Sequence, residues 1–79
     1  MSELYAPTFG EWLKSRRRAL DVTQKQLAVQ LECAEITIRK IEANRLRPSK
    51  NLARLMLKKL NVPRAEQDEL VQLARVRKT

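Results

Sequence analysis

The chain has no histidine, one cysteine and one glycine, and its aromatic residues end with Tyr5, Phe9 and Trp12. Each scarcity removes a class of explanation. Cys33 stands alone, so no intrachain disulfide can form. Without histidine, one thiol and scattered carboxylates fall short of the ligand set of a zinc or iron site, and neither a metal nor another cofactor is implied. Catalysis has no imidazole to use, no nucleophile–base pair and no phosphate-cradling glycine loop, so nothing points to an enzyme or to a small-molecule site. No apolar run reaches membrane-spanning length, and the N-terminus lacks the basic start and apolar core of a signal peptide. Together with the unpaired thiol, these absences fit a soluble protein of a reducing, cytoplasmic compartment.

The 79 residues suffice for one domain and one core. A chain this short, without disulfide or metal, depends on well-packed aliphatic side chains. Leu, Ala, Arg, Lys, Gln and Glu dominate, which is a helical vocabulary, and the expected fold is all-α. Lys and Arg number 17 against 9 Asp and Glu, a formal net charge of +8. That balance fits a polyanionic partner, but a merely well-solvated surface would also account for it. The placement of the charge decides between them.

Start and stop signals divide the chain into five helices. Thr8-Phe9-Gly10-Glu11 has the form of a capping box opening a helix to about Leu20, with Phe9, Leu13 and Leu20 on one face and Trp12 at the edge of the core. Asp21 suits the left-handed turn that ends it. Thr23-Gln24-Lys25-Gln26 is a second capping box, before a helix to about Leu31 that points Leu27, Ala28 and Leu31 inward. Glu32-Cys33-Ala34 connects to a third helix over about Glu35 to Ala43, which Asn44 is placed to stop. Cys33 is expected to be a small buried apolar residue. The loop Arg45-Leu46-Arg47-Pro48 leads to Ser49, the cap of a fourth helix to about Leu60 with Ala53, Met56, Leu57 and Leu60 as its core face. Asn61-Val62-Pro63 breaks the chain before a fifth helix, about Arg64 to Val76, with Leu70, Leu73 and Ala74 inward. The ordered core is expected over about 8–76, with frayed ends at 1–7 and 77–79.

The third helix carries the sharpest signal. At about 100° per residue, Ile38, Ile41 and Glu42 point one way, while Ile36, Arg39, Lys40 and Ala43 point the other, with Glu35 on the flank. A short helix set across another by a tight turn, with a basic outer face, suits the major groove of DNA. A solvated amphipathic helix would share this pattern. Lys14, Arg16 and Arg18 are read either as a solvated face or as peripheral phosphate contacts.

Three runs, Thr23-Gln24-x-x-Leu27-Ala28, Ile36-Thr37-Ile38-x-x-Ile41-Glu42 and Arg45-x-x-Pro48-Ser49, together resemble the Xre and lambda-repressor-like helix-turn-helix family. The resemblance runs from Phe9 to about Ala74. The opening around Phe9-Gly10 and the fifth helix look like the N-terminal DNA-binding domain of larger bacterial regulators. The resemblance implies a five-helix fold, a double-stranded DNA partner, transcription regulation, and a place at the bacterial nucleoid. It also implies roles for matching positions. Gln24 would hydrogen-bond a backbone phosphate at the positive end of its helix. Glu35, Ile36, Arg39 and Lys40 would face base edges and flanking phosphates. Arg45 and Arg47 would clamp the DNA backbone, and Thr37 would either touch phosphate or pack. Arg17 and Glu42 match a pair that bridges the first helix to the end of the third. Periodicity separately puts Glu42 inward, where an unpaired carboxylate is costly.

Four positions depart from the family pattern. Glu32 stands where glycine is usual, Ala34 replaces a Ser or Thr cap, Arg16 occupies an aliphatic position, and Glu35 brings negative charge to the groove face. Two other readings compete with DNA binding: a protein-interaction module of the same fold, as in antitoxins and coactivators, and a basic membrane-surface binder. Cations gathered on the third helix and its following loop favour DNA, and short capped helices disfavour the membrane. One such helix reads only a few base pairs, so two copies of the domain are expected, by dimerisation or in a longer chain. The fifth helix, with Val71 and Val76, is the one candidate dimer surface. Plain core packing is the competing reading of those residues.

Overall fold

The computed structural model describes residues 8–75. These contain five helices and no strand: α1 (Phe9–Ala19), α2 (Gln24–Leu31), α3 (Glu35–Glu42), α4 (Lys50–Lys59) and α5 (Arg64–Arg75). The expectations placed on residues 1–7, on 77–79 and on Val76 lie outside the described residues. α1 packs on α3 and α5, α2 on α3 and α4, and α4 on α5, which closes the helices around one core.

Side chains set the helix starts. Thr23 accepts from the Gln26 backbone N–H at 3.0 Å while Gln26 Oε1 accepts from the Thr23 N–H at 2.9 Å, a complete capping box. Ser49 accepts from the Leu52 N–H at 3.1 Å. The box expected at α1 is only half made. Thr8 accepts from the Glu11 N–H at 3.1 Å, but the return contact runs from the Thr8 hydroxyl to Glu11 Oε1 at 3.3 Å rather than from its backbone. Ala34, with no side-chain acceptor, leaves the start of α3 uncapped.

The four helix ends share one device. Asp21, Glu32, Asn44 and Asn61 adopt left-handed conformations with φ of 60°, 55°, 62° and 60°. After each, the next N–H reaches back five residues: Val22 to Arg17 (3.1 Å), Cys33 to Ala28 (3.0 Å), Arg45 to Lys40 (2.8 Å) and Val62 to Leu57 (3.0 Å). This is the Schellman closure, made four times without a glycine. Asp and Asn enter this region readily; Glu32 does so at a cost of about 1–2 kcal/mol.

The core consists of Phe9, Trp12, Leu13, Leu27, Ala28, Leu31, Ile38, Ile41, Ala53, Met56, Leu57, Leu60, Val62, Leu70, Val71 and Ala74. Trp12 is 1% exposed, so it lies inside the core rather than at its edge, and it stacks on Phe9 with ring centroids 5.5 Å apart. Cys33 is only half-buried, because it follows the left-handed stop of α2 and packs back on the last turn. Partial burial pushes its thiol pKa up, away from reactive thiolate. Val71, 4% exposed, is core and gives no dimer surface. Arg16 is half-buried rather than fully solvated: Nε donates to the Leu60 carbonyl and Nη2 to the Asn61 carbonyl, both at 3.1 Å, closing the end of α4. No described helix is long and apolar enough to cross a membrane.

Candidate nucleic-acid interface

Helices α2 and α3 are joined by three residues, and the left-handed Glu32 turns the chain between them. Ile38 and Ile41 are buried beneath α3, which fixes its rotation about its own axis. Ile36, Arg39, Lys40 and Ala43 consequently face outward and are exposed, while Glu35 and Thr37 are half-exposed at the flanks. Along that face Glu35 and Arg39 form an i,i+4 pair at 3.7 Å, a loose surface contact worth a few tenths of a kcal/mol.

The inner end of α3 is tied by polar groups. Arg17 grips Glu42 at two points, Nε to Oε2 at 2.6 Å and Nη2 to Oε1 at 3.1 Å, and each residue is 8% exposed. A third donor, Arg17 Nη1, meets the Val22 carbonyl at 2.9 Å. Glu42 Oε1 also accepts from Gln24 Nε2 at 3.0 Å, which links the N-terminus of α2 to the same carboxylate. No buried side-chain nitrogen or oxygen among the described residues lacks a partner. Such full pairing is what makes a buried ion pair tolerable.

A further tie comes from α1. The Gly10 N–H donates to Asn44 Oδ1 at 3.3 Å, just past the end of α3. A Cβ at Gly10 would stand 2.5 Å from the Ile41 carbonyl oxygen, 2.6 Å from Asn44 Oδ1 and 2.7 Å from the Glu42 carbonyl oxygen. The glycine is therefore there for closeness of approach, not for a special backbone angle.

Comparison with known proteins adds the family. The model of a helix-turn-helix domain family matches residues 8–70. The chain belongs to that helix-turn-helix family. No curated protein and no solved structure matches it. In helix-turn-helix domains of the DNA-binding kind the second helix of the motif enters the major groove, and α3 is that helix by position.

The other residues singled out by the sequence sit around this motif. Lys14, Arg17, Arg18 and Lys25 line an open groove of about 520 Å³ together with Asp21, Glu35 and Gln24, where the end of α1 meets the starts of α2 and α3. Arg45 lies exposed one residue after Asn44. Arg47 is engaged at the far side of its loop: Nη1 donates to the Arg75 carbonyl at 2.9 Å, and Arg75 Nη1 donates to the Pro48 carbonyl at 3.0 Å. The loop after α3 is thereby fastened to the end of α5. Asn44 stops α3 in the left-handed conformation, as its place in the sequence predicts, but its side-chain contact with Gly10 and the tie of Arg75 to the loop were not foreseen. Of these, only Gly10, as the single glycine and inside a predicted helix, carried a signal that could have been followed.

Proposed function

We propose that this domain is the sequence-specific, double-stranded-DNA-binding unit of a transcriptional regulator of the Xre, lambda-repressor-like kind, acting in the bacterial cytoplasm at the nucleoid. The whole chain is one such domain, and it works as a pair, either as a homodimer or within a longer regulator. α3 lies in the major groove, where Glu35, Ile36, Arg39 and Lys40 meet base edges. Gln24, Thr37, Arg45 and Arg47 meet phosphates. Arg17 and Glu42 hold the frame and touch no DNA.

The observation that carries this reading is the two-sidedness of α3. Its inner face is locked by buried isoleucines and by the Arg17–Glu42–Gln24 network, and its outer face presents exposed Arg39 and Lys40 beside Arg45. A helix of eight residues so rigidly held has little use for an exposed basic face except to present it. Arg47 has four N–H donors beyond the one on Arg75, and Gln24 has a second amide N–H beyond the one on Glu42, so neither tie prevents a phosphate contact.

Selection from a random duplex library, followed by affinity measurement across a salt series, tests the proposal. A defined sequence with paired half-sites should emerge. Arg45→Ala should weaken binding to every duplex alike and lower the salt slope by about 0.9. Enrichment of no sequence, with a salt slope unchanged by Arg45→Ala, would remove both the sequence-specific reading and the clamp.

A further inference from the structure

Ile36 is 46% exposed, the one large apolar side chain on the outer face of α3. The fold gives it no reason to be there. It fills no part of the core, and as a β-branched residue it gains nothing in helix propensity over a polar one. Its surroundings are net cationic: Arg39 and Lys40 follow three and four residues later on the same face, both exposed, and the flanking Glu35, loosely paired with Arg39 at 3.7 Å, offsets only one of the two charges. A complementary surface must therefore offer something apolar within a strongly anionic setting. The major groove of DNA does so at one base only. Guanine, adenine and cytosine show hydrogen-bonding edges there, whereas thymine also shows its 5-methyl group, flanked by phosphates.

We propose that Ile36 packs on a thymine 5-methyl group, so that the recognised sequence carries a thymine where the first turn of α3 meets the bases. This rests on the reading of α3 as the base-facing helix. Ala43, exposed two turns further along the same face, is small enough not to hold that face away from the groove. Lys40, one turn from Ile36, is left to reach a guanine edge or a phosphate beside the thymine.

The test uses the sequence recovered by selection. Each thymine is replaced in turn by deoxyuridine, which removes the methyl group and nothing else. Dissociation constants are then measured for the natural protein, Ile36→Ala and Ile36→Gln. One thymine in each half-site should, on losing its methyl, weaken binding by the natural protein about fourfold, the effect of one buried methyl group. The same replacement should leave both variants unchanged. Ile36 is exposed, so neither variant should alter the melting temperature, and agreement between the two guards against a folding defect in one. A defined sequence in which no thymine methyl matters, or matters equally to the variants, overturns the inference and leaves DNA reading intact. If no sequence is preferred, base reading itself fails and the inference falls with it.

Discussion

Replacing Gly10 by alanine sets two opposite forces against each other, and the structure says which wins. In an exposed helix the change would stabilise the fold by as much as about 1 kcal/mol, because glycine loses more backbone freedom on folding. At Gly10 the new Cβ meets two carbonyl oxygens of α3 at 2.5 and 2.7 Å and Asn44 Oδ1 at 2.6 Å. Side-chain Oδ1 can turn aside; the Ile41 and Glu42 carbonyls belong to the last turn of a helix and cannot. Relief requires α1 to move off α3 by several tenths of an ångström, although Phe9 and Leu13 of the same helix are buried in the core. Overpacking of this kind costs roughly 1–3 kcal/mol, and loss of the Gly10–Asn44 hydrogen bond adds about 0.5–1.5 kcal/mol. Set against a propensity gain of about 1 kcal/mol, the net destabilisation is about 0.5–3.5 kcal/mol. In a domain of this size each kcal/mol moves the midpoint by about 4–8 °C. Thermal and urea unfolding followed by circular dichroism would measure it, with Ser15→Ala, an exposed change in the same helix, as the reference. A Gly10→Ala protein as stable as the natural one would refute the close-approach argument and leave helix propensity as the governing term.

Two other substitutions probe the frame. Arg17→Met strands the Glu42 carboxylate and should cost roughly 3–5 kcal/mol, whereas Arg18→Met, at an exposed neighbour, should move the melting midpoint little; equal midpoints would remove the buried pair from the list of things that hold this fold. Glu32→Gly should stabilise the domain by about 0.5–1 kcal/mol, the relief of a left-handed glutamate less the extra chain entropy of glycine, and an unchanged or lower urea midpoint would show that the turn is not strained.

The features legible from sequence are those whose partners lie within a turn. Thr23 with Gln26 and Ser49 with Leu52 close over three residues, so their spacing alone marks a helix start. The 100° step likewise separates Ile38, Ile41 and Glu42 from Ile36, Arg39 and Lys40. Other features escape because their partners are made by the fold. Arg16 finds the carbonyls of Leu60 and Asn61 more than forty residues away, and those carbonyls converge only because Asn61 turns left-handed. Trp12 lies fully inside because α3 and α5 both close over α1. In the site, Glu42 could be seen to point inward, but its second partner, Gln24, is brought to it by the angle between α2 and α3. The same holds for Arg47 and Arg75, whose mutual contact requires α5 to end beside the loop after α3.

The distribution of these ties bears on how α3 is presented. Its C-terminal end is held three times over, by Arg17 and Gln24 on Glu42 and by Gly10 on Asn44. Its N-terminal end begins at Ala34 without a cap, follows a left-handed glutamate, and exposes Ile36 in the first turn. An uncapped start and a strained turn each weaken that end by about 1 kcal/mol, while the buried network at the other end resists any rotation that would withdraw Glu42 from its partners. The helix is therefore fixed in direction and rotation from its inner end, and its free adjustment is confined to the first turn. On the proposed reading of α3, that division sets orientation before contact and leaves the residues proposed to meet the bases first able to settle against them. Strengthening the first turn, by Ala34→Ser or Glu32→Gly, acts on the second property and leaves the first untouched.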